Sequence, residues 1–230
     1  MNGKEVLLIV FAIQGWSEAG AWKDTLFVRI LEKISGVKVV VPDYLDGKGR
    51  FAKFKSHLTV EQYASIVRVA YERMKEEYPD VPVLIMGHSL GGLIARYLCN
   101  QGLFPPENMI LVGTPNRGFS RAMFGKRANI IVLPILKFLA KYICNVPLLF
   151  QLLPGSEFLE RLRKADGYPF SAYYIYGKRD KVVPRKSADP YGKGTEVDCG
   201  HHLIPQKEGD NINNSALPVI IGIIEQRLGI

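Results

Sequence analysis

Val83-Leu84-Ile85-Met86-Gly87-His88-Ser89-Leu90-Gly91-Gly92-Leu93-Ile94-Ala95-Arg96-Tyr97-Leu98 is the stretch that decides how this chain is read. Its first four residues form a short apolar run suited to a buried strand, and residues 93–98 follow a helical pattern. Between them stands a serine flanked by glycines. Strand, sharp turn and helix with serine at the tip is the context that makes a G-x-S-x-G match a nucleophile elbow. A serine there holds a strained backbone conformation that lifts its hydroxyl above the sheet. Gly87 and Gly91 flank it because a side chain at either position would collide across so tight a turn. Ser89 is therefore the candidate nucleophile.

Working outward, residues 6–13 and 37–41 are nearly continuous apolar runs and read as buried strands. Between them, Trp22, Leu26, Ile30 and Ile34 recur every four residues, which predicts a helix over 21–34. Thr59-Val60-Glu61-Gln62 has the form of a capping box, and the helix behind it ends before Pro79. Gly102 is a stop for the helix after the elbow. Further strands are expected at 109–113, 173–176 and 195–199, with a closing helix over 216–228. Strands alternating with helices predict a mostly parallel sheet of about six strands, sandwiched in a three-layer α/β/α domain spanning 1–230. Ligands of such sheets sit beyond the carboxyl ends of the strands. Residues 116–169 interrupt the alternation. Leu133, Ile135, Leu136, Phe138, Leu139, Tyr142 and Ile143 exceed one buried stripe, so this segment is expected to form a helical cap with an apolar inner face. Part of it is expected to pack as ordinary core-covering helix.

The 230 residues, 47% hydrophobic and 23% charged, suit a globular domain with a substantial core. The longest apolar stretch, 130–153, is broken by Pro134, Lys137, Lys141, Asn145 and Pro147, which excludes a membrane span of roughly 20 apolar residues. Gln14, Gly15, Trp16 and Glu18 make a poor cleavage region after the first apolar run, so no export signal is read there. Cys99, Cys144 and Cys199 are an odd set without metal-site spacing. Reduced thiols and a cytoplasmic location are the expectation. The formal net charge is +8. Arg117, Arg121, Lys126 and Arg127 lie together, and Lys178, Arg179, Lys181, Arg185 and Lys186 surround Asp180, both groups in loops after strands. Solubility alone accounts for such a charge; an anionic substrate, or peripheral contact with an anionic membrane, stays open. No recognition motif accompanies the charge, so no nucleic-acid partner is expected.

Serine needs a base to take its proton, and the base needs a carboxylate to hold its tautomer. His88 points away from the nucleophile on the elbow, and His57 precedes the long helix in the wrong chain order. His201 and His202 remain. His201, directly after Gly200, is preferred; the adjacent pair points in different directions, and His202 is the alternative. Triads built on this elbow run serine, carboxylate, histidine along the chain. Asp180 follows the strand at 173–176 by a short turn, whereas Asp166 precedes a strand, Asp189 lies within a loop and Asp198 falls inside the last strand. An oxyanion hole needs two backbone N–H groups. Leu90, after the nucleophile, supplies one, and Trp16, in the loop after the first strand, supplies the other.

Taken together, Gln14-Gly15-Trp16, the elbow at 87–92, Gly113-Thr114-Pro115-Asn116-Arg117-Gly118, Gly177-Lys178-Arg179-Asp180 and Gly200-His201 resemble the α/β-hydrolases, most of all their lipase and esterase branch. The resemblance covers almost the whole chain. It implies a serine esterase needing no metal or other cofactor, acting on a small ester or acyl lipid, with a cap between the strands ending at Gly113 and starting near Ala172. The stretch Leu153-Pro154-Gly155-Ser156-Glu157-Phe158-Leu159 is similar to bacterial triacylglycerol lipases and related lipid-remodelling hydrolases. Two positions depart from the pattern: Gln14-Gly15 where relatives commonly carry His-Gly, and Thr114-Pro115-Asn116 where lipases commonly show Thr-Pro-His. The same motifs fit a thioesterase, an amidase or a non-catalytic binding protein on this scaffold, and oligomeric state is not legible.

Overall fold

A computed structural model describes residues 5–15, 22–43, 58–120, 147–165 and 171–230. Six strands form one sheet: β1 (Leu8–Ile13), β2 (Val37–Val40), β3 (Val83–His88), β4 (Met109–Val112), β5 (Tyr173–Gly177) and β6 (Thr195–Val197). Their spatial order is β2-β1-β3-β4-β5-β6, and every pairing is parallel. The helices are α1 (Leu26–Leu31), α2 (Val60–Glu77), α3 (Leu90–Asn100), α4 (Pro147–Gln151), α5 (Glu157–Ala165), α6 (Arg185–Ala188) and α7 (Leu217–Leu228).

The period-two geometry of a strand explains why β1 is apolar throughout. Ile9, Phe11 and Ile13 enter one core with Ile85, Leu111 and Tyr174, against α2, α3, α4 and α5. Leu8, Val10 and Ala12 enter the other with Leu84, Met86, Ile110 and Ile175, against α1 and α7. Both faces are thus covered, and the sandwich has three layers. Thr59 closes the predicted capping box on α2: its hydroxyl accepts from Gln62 N at 3.3 Å and Gln62 Oε1 accepts from Thr59 N at 2.8 Å.

The helix expected over 21–34 is shorter. A 3-10 turn at Trp22–Asp24 precedes Thr25, whose extended backbone (φ −78°, ψ 161°) separates it from α1. Tertiary contacts override the four-residue period. The Trp22 ring packs beside Phe27 and His88, while Leu26 N and Phe27 N donate to the carbonyls of Gln206 and Pro205. The first strand begins later than expected, at Leu8 instead of residue 6, and the last ends earlier, at Val197 instead of residue 199.

Of the segment 116–169, residues 121–146 and 166–169 lie outside the described residues, and with them the apolar surplus from Leu133 to Ile143 that suggested a cap. Its described helices, α4 and α5, place Leu148, Phe158, Leu159 and Leu162 in the core shared with α2 and α3. Among the described residues no helix is long and apolar enough to cross a membrane.

Candidate active site

Parallel pairing in near-level register brings the carboxyl ends of β1, β3, β4, β5 and β6 to one edge. Ile13 pairs with Gly87, His88 with Val112, and Gly177 with Val197. The order in which strands are added reverses between β1 and β3, the position where such parallel sheets open a crevice for ligands.

Ser89 stands at that edge, between β3 and α3, with φ 51° and ψ −118°. It is the one non-glycine with positive φ among the described residues. Such a backbone costs on the order of 1–3 kcal/mol and persists where its surroundings over-determine it. Here Ser89 N donates to Val112 O at 2.9 Å, and Gly92 N donates to Ser89 O at 3.1 Å. The flanking glycines are required by close approach. A Cβ on Gly87 would sit 2.5 Å from Gly92 Cα, and one on Gly91 would fall on the Ile13 carbonyl oxygen and lie 2.6 Å from that of Gln14.

His201 reaches Ser89 from the loop after β6, its Nε2 3.2 Å from Ser89 Oγ. Its Nδ1 lies 2.8 Å from Asp180 Oδ2. The carboxylate only accepts, so Nδ1 carries the hydrogen and Nε2 presents its lone pair to the serine hydroxyl. The side chain of Asp180 is 1% exposed and that of His201 14%. Asp180 is held from behind: Oδ1 accepts from Val182 N at 2.8 Å and from Val183 N at 2.9 Å. The two loops meet because Gly177 has no side chain; a Cβ there would lie 2.6 Å from Cys199 O and 2.7 Å from Gly200 O. Burial, reinforced by the nearby Asp180 carboxylate, pushes the Cys199 thiol up to about 11.

The other carboxylates and histidines weighed from sequence lie elsewhere. Asp189 is buried and accepts from Lys193 N at 3.0 Å, and Asp198 pairs with Arg179 at 3.1 Å. His202 is exposed. His57, Asp166 and Trp16 lie outside the described residues, so only the Leu90 half of the expected oxyanion hole is in view. Leu90 opens α3, in the turn whose amides have no intrahelical acceptor.

Three further groups brace the site. His88 Nε2 donates to His201 O at 3.1 Å, and its ring lies 5.3 Å from that of His201. Gln14 Oε1 accepts from Trp22 N at 3.3 Å, tying the end of β1 to the 3-10 turn that precedes α1. Asn116 Oδ1 accepts from buried Arg96 at 2.8 Å, while Asn116 Nδ2 donates to Ala188 O at 2.9 Å. The two departures from the usual pattern, Gln14 and Asn116, are thus both buried and hydrogen-bonded. A signal for Arg96 was present in the sequence, as a lone cation inside the apolar run of α3. Among the described residues no group of three or more His, Cys, Asp or Glu side chains is placed to hold a metal ion.

No protein-family model and no curated protein matches the chain in sequence. Solved structures do resemble it. A lipolytic enzyme from a study of the metagenome-derived LipS and LipT superimposes with a TM-score of 0.64 at 18% identity, over 98% of this chain and 99% of that one. A soluble variant of monoglyceride lipase from Saccharomyces cerevisiae, solved with a substrate analogue, gives 0.61 at 16% identity, over 97% and 87%. Phospholipase PlaB from Legionella pneumophila gives 0.53 at 17% identity over 79% of this chain, which spans only 44% of the phospholipase's length. Identities this low speak for architecture alone, and that architecture, with its parallel six-stranded sheet and serine elbow, is the α/β-hydrolase fold shared with lipases and esterases.

Proposed function

We propose that the chain hydrolyses carboxylic esters through an acyl-enzyme. The observation that carries this reading is the unbroken line from Ser89 Oγ through His201 to Asp180, set on a strained elbow. Ser89 Oγ attacks the ester carbonyl carbon as its proton passes to His201 Nε2. Asp180 holds the imidazole and stabilises the imidazolium, and the Leu90 N–H, with that of Trp16, receives the oxyanion. The proton on Nε2 then goes to the departing alkoxide, which leaves as the alcohol. Water repeats the sequence on the acyl-enzyme, releasing the acid and restoring Ser89. All the groups that move protons or hold charge come from the chain itself, so the reaction is proposed to need no metal or other cofactor.

The substrate is proposed to be a small ester or acyl lipid, on the strength of the fold shared with lipases and esterases. A fluorophosphonate probe is expected to label the wild type and not Ser89→Ala. Absence of labelling in a folded wild type removes the enzyme reading. Hydrolysis of p-nitrophenyl esters from acetate to palmitate then separates esterase from lipase, and parallel thioester and anilide substrates test the same triad on other acyl groups.

A further inference from the structure

We infer that the chain carries a binding site for a phosphate-type oxyanion on the flank of the sheet, built by α3, the loop after β4 and the end of α5. A hollow of about 460 Å³ opens there, lined by Arg96, Asn116, Arg117, Arg163, Lys164 and Tyr191. That volume lies within the roughly 300–1,000 Å³ of small-ligand sites. Four of its walls are cationic, and no carboxylate lines it among the described residues. Glu160, paired with Arg163 at 2.8 Å, faces an adjoining hollow of about 310 Å³ and offsets one of the four charges.

Two of the guanidinium groups are held in place. Arg96, only 2% exposed, donates to Asn116 Oδ1, and the second bond of Asn116, to Ala188 O, fixes which end of its amide faces the arginine. Arg117 donates through Nη2 to Pro190 O at 2.9 Å, and its backbone N donates to Ser187 Oγ at 3.0 Å. The Pro190 carbonyl is a neutral acceptor: it positions the Arg117 guanidinium without cancelling its charge. Preset guanidinium forks match the paired oxygens of a phosphate, and concave protein walls strengthen the field between them. Complementing the α5 dipole accounts for Arg163 and Lys164, which lie in its last turn. It does not account for Arg96 and Arg117, which come from two other elements.

Arg96 lies seven residues beyond Ser89 on α3, about 10 Å along the helix axis. The anion site stands apart from the ester-hydrolase reading: none of the catalytic residues lines the hollow. Its source is either a lipid phosphate headgroup or free phosphate.

The test uses Ser89→Ala protein, so that no ligand is turned over. Inorganic phosphate, dihexanoyl phosphatidate and uncharged dihexanoylglycerol are titrated calorimetrically in about 0.15 M salt, where the screening length is about 8 Å. Phosphatidate is expected to bind, and Arg117→Gln with Lys164→Gln to weaken it at least about tenfold. Lys33→Gln with Arg73→Gln removes the same charge from exposed positions elsewhere and is expected to change binding less than about twofold. Thermal melts establish that both pairs fold. Phosphate binding as strongly as phosphatidate assigns the site to free phosphate; phosphatidate binding far more strongly assigns it to a headgroup. The inference is overturned if neither anion binds, if dihexanoylglycerol binds equally well, or if the control pair loses as much. Fluorophosphonate labelling of the wild type reports separately on the ester-hydrolase reading.

Discussion

Asp180→Asn separates the orienting role of the carboxylate from its structural one. Asp180 accepts three hydrogens, two from the amides of Val182 and Val183 on Oδ1 and one from His201 Nδ1 on Oδ2. Asparagine has one accepting oxygen and one donating NH₂. If the NH₂ faced Val182 and Val183, it would oppose two N–H donors, whereas facing His201 opposes only one. The oxygen therefore stays on the two amides, worth about 1 kcal/mol each, and the NH₂ turns to His201. The imidazole must then accept at Nδ1, which moves its hydrogen to Nε2 and aims a donor at Ser89 Oγ. With the wrong tautomer a triad of this arrangement loses about 10⁴ in kcat. That is about 5.5 kcal/mol of barrier. The melting temperature should hardly move, because both backbone amides keep their acceptor. Asp180→Ala leaves those two part-buried amides without one, at about 1–3 kcal/mol each where water does not reach them, and should melt at least about 4 °C lower. The assay is kcat/KM on a p-nitrophenyl ester beside a thermal melt. Asp180→Asn within tenfold of wild type, with an unchanged melt, refutes the tautomer argument.

Gly91→Ala tests the close approach of β1 and α3, where the obstructing atoms are the carbonyl oxygens of Ile13 and Gln14 and no side chain can swing aside. A loss of roughly 3 kcal/mol is expected by urea unfolding. A melting temperature within about 3 °C of wild type contradicts that contact. For Cys199 the thiol is raised from 9.0 to about 11 in the folded chain, first by burial and then by Asp180. The protonated thiol is therefore favoured by folding, with its contribution to stability complete below pH 9 and lost as pH rises towards 11. Cys199→Ala should flatten the fall in stability across that window; identical slopes would exclude the thiol as a contributor. Native alkylation of Cys199 with iodoacetamide at pH 8 should likewise be slow beside the unfolded chain, because the thiolate is the reacting form.

The elbow was legible because its constraints are local. Glycines at 87 and 91, an apolar run before and a helical period after are properties of neighbours in sequence, and the backbone at Ser89 has the strained form they imply. The six-stranded parallel sheet was legible for a related reason, since strands buried on both faces leave near-continuous apolar runs. The helix over 21–34 misled because its four-residue period came from two different demands. Trp22 fills space beside His88, whereas Phe27 and Leu31 face the core beneath α7. Arg96 stands out in the sequence as a lone cation in an apolar run, but its acceptor, Asn116, twenty residues on, is set only by the fold.

By itself the sequence determined the alternation of strand and helix, the serine at the turn, and the order serine, aspartate, histidine along the chain. Each follows from short-range sterics, or from hydrophobic period, to which only near neighbours contribute. The tertiary structure alone decided which of two adjacent histidines turns inward, and that Gly177 lets the Asp180 and His201 loops meet. It also decided that four cations from three elements share one hollow. Those outcomes depend on contacts between residues far apart in the chain, and their geometry is set only once parallel register has brought the strand ends to one edge of the sheet.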